Sequence, residues 1–146
     1  MLSWIILIHV ASTFYMTGLI WFVQAVHYPL FQQVGEGDFP QYEKKHMRMT
    51  TWVVAPMIPE IISLIAWGAL DPAVWFSWWY WVNGIGLAII WISTAIFQVP
   101  LHTRLLGGKD EKTVAHLVQT NWIRTVCWTL RSMALMYLLS SYIQIH

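Results

Sequence analysis

The chain has 146 residues, of which 58% are hydrophobic and 10% charged. Ordinary globular domains are roughly 25% charged, so a body this small has more apolar surface than a water-facing fold can hide, and lipid must be part of its solvent. A formal net charge of +1 provides no basic face and excludes a nucleic-acid partner. With one cysteine, Cys127, neither an internal disulfide nor a thiolate cage can form. That residue reads as a small apolar side chain inside a helix, with a reactive thiol as the alternative.

In chain order, the first predicted element is an apolar helix over residues 4–26. No basic residue precedes it and its length exceeds the roughly 7–15 residues of a signal core, so the expectation is a retained anchor. Loop one follows, with Asp38, Pro40 and Gln41 spaced as a helix start near residue 39. A second span over 50–70 contains Pro56 and Pro59, which predict a kink and freed carbonyls at Trp52 and Ala55. The short turn Asp71–Pro72–Ala73 leads to a third span over 74–99. Loop three breaks at Gly107–Gly108, and Asp110 is placed to cap a helix starting near 111. The fourth span covers 122–145. The predicted fold is all-α: one polytopic domain, a four-transmembrane-helix bundle, with short amphipathic helical segments in the loops.

Orientation comes from the basic residues. Lys44, Lys45 and Arg48 lie in loop one, Arg104, Lys109 and Lys112 in loop three, and Arg124 and Arg131 at or inside the adjoining end of span four. The positive-inside rule places loops 27–49 and 100–121 in the cytoplasm and both termini outside. Trp4, Trp67, Trp75, Trp78, Trp79 and Trp81 then fall at the outer surface, where a tryptophan belt is expected. A repeat is faintly visible: Arg48 with Trp52 echoes Arg124 with Trp128, and Gln24 with Pro29 echoes Gln98 with Pro100. A duplicated hairpin would produce these echoes, and so would chance between two apolar hairpins.

Ionisable groups inside lipid are candidate functional groups, because inserting one costs roughly 2.5–3.5 kcal/mol. Counted from helix starts near 39 and 111, Glu60 and Arg131 lie at similar depth, which predicts an ion pair that is either catalytic or a register lock. Asn121, Arg124, Trp128 and Arg131 follow a 3, 4, 3 spacing and form one stripe, expected to face inward. Arg124 has the alternative of snorkelling to water. His27 and His102 end spans one and three, and His46 lies at the start of the second helix. A metal site from His27, His46, His102 and Glu60 is one candidate, a haem held by two of the histidines another, and simple hydrogen bonding to water or headgroups the third. Glu43-x-x-His46 has carboxylate–metal spacing without the second copy such sites use. His9 reads as a helix–helix hydrogen bond, as do Gln24, Asn83 and Gln98, with Gln24 and Gln98 close enough to the site to join it. His116 and His146 read as exposed, and Tyr28 and Tyr42 as interfacial anchors or proton carriers.

The segments Gln24-Ala-Val-His27-Tyr28-Pro29, Val99–His102 and Asn121-Trp-Ile-Arg124 give the chain a layout that resembles small four-helix bacterial membrane proteins of the anthrone-oxygenase-like family. The resemblance covers most of the chain. It implies a bacterial inner membrane and an activity that oxygenates a polycyclic phenolic compound, and it assigns no residue roles. Two functions follow from the reading. One is a small oxidoreductase or cofactor-binding protein with a polar pocket opening towards the cytoplasm, ringed by His27, His46, Glu60, His102, Arg124 and Arg131, that acts on a hydrophobic small molecule such as a quinone or polycyclic aromatic. In it Glu60, Arg124 and Arg131 do the chemistry, and His27, His46, His102, Asn121 and Trp128 bind the cofactor. The other is an accessory subunit of a larger membrane complex or homo-oligomer, docked through the aromatic third span.

Overall fold

The computed structural model describes residues 1–145, with side chains described through Ser140. It is all-helical, with no strand among the described residues. The chain runs through four rods. The first is α1 (Leu2–Phe22), a π-turn (Val23–His27) and α2 (Tyr28–Phe31); the second is α3 (Phe39–Val53) and α4 (Met57–Leu70). A 3-10 turn, Pro72–Phe76, leads to the third: α5 (Trp78–Ser93), a π-turn (Thr94–Gln98) and α6 (Val99–Leu105). The fourth is α7 (Glu111–Ile145). The helix starts expected near 39 and 111 fall at Phe39 and Glu111.

Three of these rods, Leu2–Phe31, Phe39–Leu70 and Trp78–Leu105, are long and apolar enough to cross a membrane. Four such spans were expected. Helix α7 has the length at 35 residues but not the apolarity, because Asn121, Arg124, Thr125, Arg131 and Ser132 sit within it, all buried. The third rod also differs from its expected bounds. Residues 74–76 belong to the 3-10 turn, and the helix runs on past Val99 to Leu105.

Rod one packs on α4 and α7, and α7 packs most extensively on α5. Rods two and three meet through α3 with α6 and, lightly, α4 with α5. Loops one and three share one end, where Lys109 Nζ donates to the carbonyls of Gln32 (2.7 Å) and Val34 (2.8 Å). Asp110 caps α7 as expected, accepting from the Thr113 amide at 3.1 Å and from the Thr113 hydroxyl. Asp38 precedes α3 but makes no side-chain cap.

Both proline effects are resolved locally. Pro56 and Pro59 cannot bond the carbonyls of Trp52 and Ala55, so Ala55 N–H and Ile58 N–H reach them with tighter i→i−3 bonds of 3.3 and 3.0 Å. In rods one and three the relief takes the opposite form. Pro29 and Pro100 each lie two residues beyond a wide turn, closed by the N–H of Tyr28 on the Val23 carbonyl and that of Val99 on the Thr94 carbonyl. The echo between the hairpins is therefore structural, but in a different register. The turns align His27 with Gln98, not Gln24 with Gln98.

The wide turn also decides which face is buried. Met16, Ile20, Gln24 and Tyr28 are all buried, at successive four-residue steps. On a regular helix such steps drift by about 40° each, and an extra residue in the turn takes up that drift.

Along α7, apolar and polar layers alternate. Leu117 belongs to a cluster with Tyr28, Phe31, Phe39, Leu101 and Leu105 at the loop end. Trp128 belongs to a middle cluster with Met16, Ile20, Met57 and Ile90. Ala134 and Leu135 join Leu64, Trp67, Trp79, Tyr80 and Leu87 at the far end. Arg124 and Arg131 occupy the gaps between these clusters, two turns and roughly 10 Å apart. The far end does not present a uniform tryptophan belt. Trp4, Trp75, Trp78 and Trp81 are exposed, whereas Trp67 and Trp79 are buried against each other with ring centroids 4.8 Å apart.

Candidate functional site

The deep polar layer is built around Glu60 and Arg131, both fully buried, with Arg131 Nη1 donating to Glu60 Oε1 at 2.7 Å. The pair forms where equal depth in α4 and α7 places it. Trp128 Nε1–H faces the same carboxylate, 3.2 and 3.3 Å from its two oxygens, and Arg131 Nη2 reaches Thr13 Oγ1 at 3.5 Å. His9 Nδ1 lies 3.2 Å from both Ser63 Oγ and the Glu60 carbonyl, the helix–helix link expected of it. Gly86 makes the arrangement possible: a Cβ there would come within 2.9 Å of Arg131 Cγ and Cδ.

The second layer lies towards the loops. Arg124 is buried and faces inward, donating to Tyr28 Oη and Gln98 Oε1 at 3.3 Å each, and to Asn121 Oδ1. Asn121 is held by Gln24 Oε1 at 2.7 Å, and Gln98 donates to Thr120 at 3.0 Å. The whole Asn121–Arg124–Trp128–Arg131 stripe is buried. Asn83 donates to Trp79 O within its own helix at 2.9 Å and also faces His9 of α1, the interhelical role expected of it.

Above Arg124 the three histidines gather. His27 and His46 stack with centroids 4.8 Å apart, His46 and His102 with centroids 5.1 Å apart, and Phe31 packs edge-on against all three. His27 Nε2 is 3.1 Å from His46 Nδ1, which also lies 3.1 Å from Thr50 Oγ1. His102 Nδ1 bonds Glu43 Oε1 at 2.6 Å, and its Nε2 is 3.3 Å from Tyr28 Oη.

The expected metal set of His27, His46, His102 and Glu60 is not assembled. Glu60 is committed to Arg131 and Trp128, and among the described residues no group of three His, Cys, Asp or Glu side chains is placed to hold a metal ion. The rings stack on one another, with centroids 4.8 and 5.1 Å apart, and nothing in that arrangement supports a haem. Glu43 pairs with His102 instead of His46.

Between rods one, two and three lies a cleft of about 560 Å³. Its walls are apolar, with Met16, Ile20, Val54 and Met57 among them, and its rim carries exposed Phe22, Met49, Val53 and Val99. One end is polar, formed by Tyr28, Gln98, His27, His46, His102 and Arg124, and Trp128 closes the side nearest Glu60. Of the site residues read from the sequence, the cleft collects His27, His46, His102, Arg124 and Trp128. Asn121 stands behind Arg124 as its hydrogen-bond partner, and Glu60 and Arg131 stand behind Trp128.

Gln98 joins the site as expected, whereas the sequence reading gave too little weight to Tyr28 and did not find Glu43's partner. The available signal was the proline two residues after each wide turn, which marks the turn whose extra residue keeps a four-residue stripe facing inward. His116 is exposed and His146 lies outside the described residues. No protein-family model, curated protein or solved structure matches this chain.

Proposed function

We propose that this is an integral membrane protein that admits a lipid-soluble molecule to the cleft and holds its polar head against Arg124, Tyr28, Gln98 and His102, acting as a small oxidoreductase or cofactor-binding protein. The observation that carries the reading is the composition of one cavity, with apolar walls along most of its length and a fixed cation at one end. Its volume is that of a drug-sized ligand site, which takes a ring system and offers a few convergent polar groups to orient it. A guanidinium with directional donors favours an anionic, phenolate or quinone oxygen. An exposed apolar rim suits entry from the bilayer rather than from water.

In this reading α7 is a fourth span. Its 35 residues exceed the ~20 needed, and both arginines find partners inside the protein instead of facing acyl chains. The lysine-bearing loop end faces the cytoplasm, and the termini lie outside. Quinones and polycyclic phenols are the substrate class, in keeping with the anthrone-oxygenase-like layout.

The test is titration of the purified protein in lipid nanodiscs with a hydroxynaphthoquinone, followed by tryptophan quenching. Arg124→Gln removes a charge-assisted contact of about 1.5–3 kcal/mol and should weaken binding roughly ten- to hundredfold. An unchanged dissociation constant in that variant overturns the reading.

A second reading, an accessory subunit of a membrane complex, draws on the exposed aromatics before and within α5. Phe76 is 95% exposed, with Trp75, Trp78 and Trp81 about half exposed beside it. Stable co-migration with partners in mild detergent, without quinone binding, favours this reading over the first.

A further inference from the structure

We infer that Glu43, His102 and Tyr28 form a proton relay that ends in the cleft and deprotonates an acidic hydroxyl on the bound molecule, leaving the oxyanion against Arg124. The inference rests on the cleft being a ligand site and adds the chemistry done there.

The geometry is that of a carboxylate–imidazole–hydroxyl series. Glu43 is fully buried on α3, and its Oε1 lies 2.6 Å from His102 Nδ1 on α6. Its Oε2 has no partner among the described residues, so the hydrogen bonding of the carboxylate is spent on His102. A carboxylate in that position keeps the proton on Nδ1 and leaves Nε2 as an acceptor, 3.3 Å from Tyr28 Oη. The Tyr28 oxygen is in turn 3.3 Å from Arg124 Nη2.

Tyr28 also has a second acceptor, Gln98 Oε1, at 3.3 Å. This gives the relay two complete hydrogen-bonding states. With His102 neutral, the Tyr28 hydroxyl donates to Nε2. With His102 protonated, Nε2–H donates to the Tyr28 oxygen and the hydroxyl hydrogen turns to Gln98. A tyrosine serving only as an anchor needs one acceptor, whereas one that passes protons needs an acceptor in each state.

In the proposed step the ligand O–H bond breaks and its proton forms an O–H bond on Tyr28, while the original Tyr28 proton passes to His102 Nε2. The products are a ligand oxyanion beside Arg124 and an imidazolium beside the Glu43 carboxylate. Charge and protons balance with no further reactant. Tyr28 is the catalytic residue, His102 carries the proton, and Glu43 is a positioning residue. His46 bonds His27 and Thr50 and stacks on His102, but neither His27 nor His46 hydrogen-bonds a relay residue.

The test uses the full chain in nanodiscs and a hydroxyanthraquinone dye whose visible band moves on ionisation, at the pH where half the free dye is ionised. Dye bound to the wild type should show a phenolate-to-phenol ratio raised at least about tenfold, a shift of one pKa unit. Tyr28→Phe and Glu43→Gln are both near-isosteric and leave Arg124 in place. In each, the dye should still bind and the ratio should fall by about tenfold, the equivalent of one charge-assisted hydrogen bond. If the dye binds with the same band in all three proteins, or binds the wild type as phenol, the relay is overturned and the cleft stands. Absence of dye binding to the wild type overturns the cleft reading, and the relay with it.

Discussion

Gly86→Ala is the smallest change that tests the deep ion pair. The added Cβ would lie 2.9 Å from Arg131 Cγ and Cδ, inside the about 3.5–4.0 Å optimum for a carbon pair. A surface arginine would swing away at little cost. This one cannot, because its guanidinium is held by Glu60 at 2.7 Å and the side chain is fully buried. If α5 and α7 yield, the cost is that of overpacking, about 1–3 kcal/mol. If the pair separates instead, an unpaired buried charge brings it to about 3–5 kcal/mol. Gly84, two residues earlier on the same helix, serves as the control, because a Cβ added there would meet nothing within 4 Å. Equilibrium unfolding in mixed micelles should therefore place Gly86→Ala at least about 1 kcal/mol below Gly84→Ala. The penalty should vanish when Arg131→Ala and Glu60→Gln are already present, since the obstructing side chain and its charged partner are then gone. Equal stability of the two alanine variants, or a penalty that survives in that background, would refute the reasoning.

Gly68→Ala should be costly for a related reason, at about 1–3 kcal/mol in the same assay. Its Cβ would overlap the Tyr80 hydroxyl, on a rigid ring that already points at the Leu64 carbonyl. Replacing Glu60 and Arg131 together by leucine and methionine should be neutral or stabilising, whereas Glu60→Leu alone should cost about 3–5 kcal/mol; the reverse order would show that the pair is not desolvated as described. Lys109→Ala should speed amide exchange in loop one, because two carbonyls there lose their shared donor, and leave the Glu60–Arg131 layer unchanged. Hydrogen bonds from Thr113 hold the Asp110 carboxyl below its ordinary pKa of 3.8. A depressed pKa means the cap is fully formed above that ordinary value and is lost as pH falls through the lower folded one. Exchange at the Thr113 amide should thus accelerate only in that acidic window, and an onset near neutral pH would contradict the assignment.

Much of the deep layer was legible because it depends on counting. The rise per residue fixes depth once the helix starts are known, and Phe39 and Glu111 were readable from their punctuation. The pairing of Glu60 with Arg131 follows from that and from the cost of leaving either charge alone in an apolar interior. The inward stripe on α7 followed from its 3, 4, 3 spacing in the same way. The loop-end site was much less legible. A regular helix is the only ruler available to sequence reasoning, and two rods depart from it at Val23–His27 and Thr94–Gln98. The extra residue in the first turn keeps the four-residue stripe that ends at Tyr28 facing inward, so regular helical periodicity could not place Tyr28 inside. Glu43 and His46 are neighbours on one helix, and nothing in their spacing shows that the partner of Glu43 is on α6, 59 residues away.

What the sequence determined by itself was therefore one-dimensional: the lengths of the apolar stretches, their starts, the prolines that interrupt them, and the depth of each charge along its own helix. These are set by local chemistry and a constant rise. Which rods lie side by side, and how each is turned about its axis, depends on side chains filling one another's space. That alone put Gly86 under Arg131, brought Glu43 to His102, and gave the polar pocket expected at the loop end its apolar walls while leaving Glu60 and Arg131 behind Trp128.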